Sequence, residues 1–237
     1  MSEPLETGYV EPGALRISVR TAAILLAFTL VFTALMAGTF SLTRPLLEAS
    51  AQAEKLRLIG EVLPPASYDN DLLGDAVLLP ENRELNTEGE THIYRARRAG
   101  APVALVFEAA APDGYSGRIS LMLALSADGR LLAMRVTGHK ETPGLGDYID
   151  PRKDKNKKQP WIGQFEALDV AKIPPTAWRV RKDGGRFSQM NGATISARAV
   201  TNASGRAVRW MLPRSGMVFE LASGATVRDA DEGDKRP

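Results

Sequence analysis

The sequence predicts an α+β head carried behind one N-terminal transmembrane helix. Three observations predict it. Residues 21–43 form an uncharged run of 23, two alternating apolar segments are joined by Asp128-Gly129, and small or apolar residues recur at helical spacing after Thr194. The composition permits a folded head, since 44% of the 237 residues are hydrophobic. With 30 Lys+Arg against 28 Asp+Glu the net charge is +2, far from the excess of a nucleic-acid binder. The chain has no cysteine, which removes disulfides, thiolate zinc sites, iron–sulfur clusters and cysteine nucleophiles. Its two histidines, His92 and His139, leave little for a metal site, so any redox chemistry belongs to a bound organic cofactor.

Residues 1–20 form a tail before the apolar run. At about 1.5 Å per residue the run spans roughly 34 Å, enough for a hydrocarbon core of about 30 Å. A cleaved signal peptide is the competing reading, and Ala37-Gly38-Thr39 offers it a small-residue site. The run is longer than the usual apolar region of about 7–15 residues, which favours a permanent single-pass anchor in membrane lipid. Flanking charge does not orient it: Arg16 and Arg20 lie on one side, and Arg44, Lys55 and Arg57 on the other.

Residues 44–65 read as a membrane-proximal helix and linker, helical over 45–59 and ended by Gly60 and Pro64-Pro65. Residues 66–215 are the soluble domain. Its first part, to residue 100, is polar and broken, with a short apolar piece at 76–79. Strand patterns follow at 102–109, 117–126 and 131–137, the last two forming a hairpin around Asp-Gly. Apolar residues on both faces of that hairpin predict a sheet covered on both sides. The Lys-rich stretch at 153–158 reads as a solvated loop. Residues 216–237 read as a C-terminal tail, disordered from about Arg228.

Two segments carry chemistry. From Ile195 through Ala199, Ala203 and Ala207 to Met211 the spacing makes a helix with one buried stripe, weakened by Gly205. Asn191-Gly192-Ala193-Thr194 opens it, and the free amides and positive dipole end there favour a phosphate. An ordinary cap, with Thr194 accepting a bond from the first turn, fits the same residues. The second segment, residues 138–148, carries His139, Lys140, Glu141, Thr142, Pro143, Gly144, Leu145 and Gly146 directly after a strand. Such a loop either presents amides and polar side chains to a ligand or merely reverses the chain.

These features together carry a resemblance. The transmembrane helix, Gly114-Tyr115-Ser116-Gly117, the Glu141-Thr142-Pro143-Gly144-Leu145-Gly146 string and Gly192-Ala193-Thr194, in this order, resemble the G subunit of the Rnf-type ion-translocating electron-transport complex. They are similar, more distantly, to the C subunit of the sodium-translocating NADH:quinone reductase. The likeness covers about residues 15–215. It implies an FMN-binding domain with a mostly antiparallel sheet and flanking helices. It also implies FMN attached covalently through its phosphate to Thr194, by a separate flavin transferase acting from FAD.

By the same resemblance the tail is cytoplasmic, the anchor lies in a bacterial inner membrane and the head is periplasmic. The chain is then an electron-transfer subunit rather than a free-standing enzyme. Its partners are the other subunits of a complex that couples ferredoxin and NAD electron transfer to ion movement. Asn191, Gly192, Ala193, Glu141, Thr142, Gly144 and Leu145 are expected to surround the flavin. Pro143, Leu145, Trp161 or Tyr115 would pack its ring, and Arg198 would screen its phosphate. Two positions depart from the family pattern: Asn191 stands where Ser or Thr is usual, and Ser188 where Asp is frequent. They motivate an alternative, an anchored scaffold that lacks flavin. A hydrolase using Thr194 or Ser196 with His139 and Asp147 has only the residue types in its favour.

Overall fold

The computed structural model describes residues 12–228. The disorder expected beyond Arg228 and the first eleven residues of the N-terminal tail lie outside the described residues. The first element is one continuous helix, α1 (Pro12–Val62), which takes in the apolar run and the helical stretch after it. Pro45 lies inside it: the missing N–H removes one bond of the ladder, and the rest persists. Gly60 sits in the last turn beside buried Ile59 and Val62, whose burial offsets the ~1 kcal/mol that a helical glycine costs. Only Pro64-Pro65 stops the helix.

Among the described residues α1 is long and apolar enough to cross a membrane, and its most apolar stretch is unburied. Within that stretch the hydroxyls of Thr29 and Thr39 donate to carbonyls four residues back at 2.8 Å, so they need no water. The chain divides into two compact units, one ending at Lys55 and one beginning at Leu56.

The second unit is built on an antiparallel sheet of β1 (Ala76–Leu79), β2 (Thr91–Arg98), β3 (Ala101–Gly114), β4 (Gly117–Ser126), β5 (Arg130–Gly138) and β6 (Leu168–Asp169), in sequence order. The expected hairpin is present, with Leu123 opposite Met134 and Gly129 at φ 86° in the turn. β2 has no clear signal in the sequence, because Arg95 and Arg97 interrupt its apolar alternation. Both arginines pair with Asp75, Arg97 Nε donating to Oδ2 at 2.8 Å. Arg95 also donates to the carbonyls of Val218 and Leu221, and Arg97 to that of Phe219. These bonds tie down α3 (Ser215–Glu220) and the chain after it, which continues along β1 with Val227 N–H donating to the Leu78 carbonyl at 2.8 Å. Burial opposes ionisation of Asp75, but the bonds from Arg97, Ser223 and Arg95 hold its carboxyl below the usual range.

Alternate side chains point to opposite faces of the sheet, and both faces are covered, as the sequence predicts. Leu105, Phe107, Leu121, Leu123 and Leu125 lie under α2 (Thr194–Met211) and the loops that follow β5. On the other face Tyr94, Ala96, Ala104, Val106, Met122 and Ala124 meet Ile59, Val62, Leu63 and Leu72.

Helix α2 buries Ala199, Ala203, Ala207 and Met211 as expected, but Ile195 is 45% exposed. Steps of four overshoot a 3.6-residue turn by about 40° each, so the first member of the predicted stripe has rotated out of the core. Gly205 weakens the helix less than its propensity implies, because it is a contact point: a Cβ there would lie 2.8 Å from that of Trp178.

Candidate functional site

The site begins with a turn. Ala193 N–H donates to the Met190 carbonyl at 3.2 Å, and Gly192 occupies the third position at φ 84°, a conformation that suits glycine. Tyr148, 3% exposed, clamps this turn through one atom. Its hydroxyl donates to the Ala193 carbonyl and accepts from Met190 N–H, both at 3.1 Å. Burial raises the phenol pKa above its usual value, outweighing the Met190 bond that favours the phenolate, and nearby Asp154 raises it further. Tyr148 therefore stays neutral and can both donate and accept.

The turn delivers the chain into α2 without a cap. Ala193 is the N-cap residue and has no hydroxyl, and no side chain bonds to the first-turn amides. Thr194 is the first helical residue, half-buried, and its hydroxyl has no hydrogen-bond partner among the described residues. The capping role that the sequence allowed for Thr194 is thus not taken up. The result is an open amide end on an 18-residue helix beside an available hydroxyl.

Glu141 fixes the distance between this helix and the loop after β5. It is 4% exposed, and its carboxylate accepts from Ser116 N–H at 3.0 Å and from the Ser196 hydroxyl. Glycines flank it closely. A Cβ on Gly146 would lie 2.7 Å from Glu141 Oε2, and one on Gly114 2.9 Å from Oε1. The loop itself closes when Leu145 and Gly146 N–H donate to the Thr142 carbonyl at 3.1 Å, with Gly144 at φ 74° and its N–H on Asp147. One carboxylate thereby joins the β3–β4 turn, this loop and the first turn of α2.

A cleft of about 150 Å³ opens between these parts. Of the sequence-predicted residues, Glu141, Leu145, Gly192 and Ala193 line it, with Tyr115, while Thr142, Gly144, Asn191 and Thr194 do not. Thr194 follows directly on the lining residue Ala193. Gly146, Ile195 and Ser196 also line it. Ser196 and Gly146 had a signal in the adjoining motifs; Ile195 did not, because its spacing reads as core. Tyr115, Leu145, Met190 and Ile195 are exposed at 63%, 43%, 38% and 45%, an apolar surface around and beside the mouth.

Several expected contacts are made elsewhere. Arg198 is engaged by Asp183, with Nη2 on Oδ1 at 2.8 Å, and that bond holds the Asp183 carboxyl below its usual range. It is not aimed at Thr194. Trp178 is buried and meets Phe187 with the two rings tilted and 5.0 Å between centroids. Trp161 packs edge-on against Tyr148 and donates to the Ser188 carbonyl at 2.6 Å. Ser188 bonds to Gln164 through both its N–H and its hydroxyl. The hydrolase arrangement is not assembled: Ser196 donates to Glu141, and His139 Nδ1 accepts from Glu141 N–H at 3.1 Å.

An uncapped helix end, a threonine hydroxyl without a partner among the described residues and an apolar rim thus lie close together at the start of α2. The model of the FMN-binding domain matches residues 114–209, and that of the RnfG N-terminal region matches residues 14–62. The chain is 38% identical to the G subunit of the ion-translocating oxidoreductase complex of Pseudoalteromonas atlantica over 218 residues, 92% of this chain and 99% of the relative. Against the G subunit of the Photorhabdus laumondii complex the identity is 40%, over 81% of this chain and 87% of the relative. Against that of Pseudomonas aeruginosa it is 38%, over 82% and 89%. The chain belongs to the family of G subunits of the ion-translocating oxidoreductase complexes. With α1, this marks a membrane-anchored flavoprotein.

Proposed function

We propose that this chain carries FMN as an ester of Thr194 Oγ1 and passes electrons within an ion-translocating oxidoreductase complex. The observation that carries the reading is the free Thr194 hydroxyl at the uncapped start of α2. A helix N-terminus favours an anion by about 0.3–1 kcal/mol and at most ~2 kcal/mol, roughly a thirtyfold gain in affinity at the upper end. That is too little to retain a cofactor through repeated turnovers, and a covalent bond supplies the rest. The flavin transferase forms the ester from FAD: the Thr194 oxygen takes the FMN phosphoryl group, AMP leaves and the hydroxyl proton is released.

FMN supplies one- and two-electron chemistry when bound. The first-turn amides of α2 then hold the phosphate charge, and Gly192 leaves room where a Cβ would meet nothing within 4 Å. Tyr115, Leu145 and Ile195 offer apolar surface to the ring. Glu141 and Tyr148 keep the loop and the turn in place. In this reading α1 crosses the inner membrane, the head is periplasmic, and neighbouring subunits link it to the ferredoxin and NAD couples.

Co-expression with the transferase followed by denaturing electrophoresis tests the attachment. Wild-type chain should fluoresce in the gel and gain the mass of FMN less water, while Thr194→Val should do neither. A dark wild-type band of unchanged mass would overturn covalent attachment and leave the anchored scaffold.

A further inference from the structure

The second half of α2 carries a face that the flavin reading does not use. Gly205 lets the helix approach Trp178 so closely that a Cβ there would lie 2.8 Å from the Trp178 Cβ and 3.1 Å from Arg209 Nη1. This approach sets residues 175–179 against one face of α2 and leaves a polar cleft of about 360 Å³ between them. Arg179 lines one wall and Arg206 and Arg209 the other, with Thr176 and Asn202 among the remaining lining residues.

None of the three arginines makes an ion pair or side-chain hydrogen bond among the described residues. The carboxylates that influence them are Asp183, bound by Arg198, and Glu84, outside ion-pair distance of Arg209. Burial and the charge of Arg206 both work against the Arg209 cation. Cations near a helix C-terminus complement the dipole, but that accounts for Arg206 and Arg209 singly and not for Arg179, which lies on another segment. Three guanidinium forks around one concavity are suited to a single group with several anionic oxygens.

We propose that this cleft binds a phosphoryl group, borne either by a soluble phosphate compound or by a phospholipid headgroup. The Arg179, Arg206 and Arg209 forks pair with its oxygens, while the Thr176 hydroxyl and the Asn202 amide donate from the wall. An acidic peptide fits less well, because it would have to bring several carboxylates to one concavity that a single tetrahedral group can fill. At about 1.5 Å per residue, Arg206 lies roughly 18 Å along the helix from Thr194, so this is not the flavin phosphate site. The inference stands whether or not Thr194 is esterified.

The test is calorimetric titration of the full chain in detergent at constant ionic strength. The probes are sodium pyrophosphate, short-chain phosphatidylglycerol in mixed micelles, phosphatidylcholine as the zwitterionic control, and hexaglutamate. Saturable binding of pyrophosphate or of phosphatidylglycerol is expected, and which of them binds more tightly assigns the source. The double variant Arg206→Gln/Arg209→Gln should weaken that binding at least tenfold, and Arg179→Gln, on the opposite wall, several-fold. Flavin content and the thermal melt should match wild type. If the double variant melts early, Arg179→Gln decides. Absence of saturable binding by both phosphates, equal affinity in wild type and Arg179→Gln, or tighter binding of hexaglutamate would each overturn the proposal.

Discussion

The two faces of the sheet are closed by different means. Under the end of α1 the buried residues include Ala76, Ala96, Ala104, Ala124 and Ala133, small enough for a regular helix to approach closely. Under α2 larger side chains pack, and buried polar groups punctuate them: Glu141, Ser196 and the Tyr148 hydroxyl, each hydrogen-bonded. A regular helix satisfies its own backbone and needs only shape to dock. An irregular turn such as 190–193 does not, so holding it at a fixed place takes directional bonds from outside. The polar clamps therefore gather on the face that carries the site.

This contrast can be broken by substitution. The largest effect is expected at Asp75, which secures the C-terminal segment closing the α2 face. Asp75→Ala leaves the Arg95 charge, 2% exposed, without its counter-ion. Urea denaturation should show a loss of about 3 kcal/mol, the low end for a broken buried pair because Asp75 retains some solvent contact. Its carboxyl titrates below the usual range when folded, so its stabilisation is complete above the unfolded value and lost as pH falls through the folded one. Wild-type stability should decline below about pH 4, and the variant should lack that part of the slope.

Next in size is Gly146→Ala. Its Cβ would sit 2.6 Å from Ser196 Oγ and 2.7 Å from Glu141 Oε2. A loss of about 2 kcal/mol is expected, with a matching fall in flavin per chain measured by absorbance. Tyr148→Phe keeps the ring and removes both bonds to the 190–193 turn, for about 1.5 kcal/mol. Flavin loading should drop in this variant even where the chain is fully folded. The smallest effect is expected from Ala124→Val on the opposite face, about 1 kcal/mol of overpacking. Flavin per folded chain should stay at the wild-type level. If it falls as far as in Tyr148→Phe, the division of roles between the faces is wrong.

Much of the architecture is legible because its signals are local. The apolar run, the Asp-Gly hairpin and the start of α2 at Thr194 each lie within a few residues of their cause. The polar strand β2 carries no such signal, because the partner that makes Arg95 tolerable, Asp75, lies 20 residues away. Ile195 reads as core because a stripe of fours looks continuous on paper, yet it turns out of the core over one helix. At the site, Gly192, Ala193, Leu145 and Glu141 are readable from motif and glycine content. Their joining through Ser116, Tyr148 and Ser196 is not.

Sequence alone determined that an apolar helix precedes an α+β head and that a threonine opens its principal helix, since hydropathy and period act over short spans. Tertiary structure alone decided that Glu141 joins Ser116 to Ser196, across separations of 25 and 55 residues, and that Tyr148 holds the turn before Thr194. A hydrogen bond is made only when both partners arrive at about 3 Å, and at such separations the packed sheet, not the chain, brings them there.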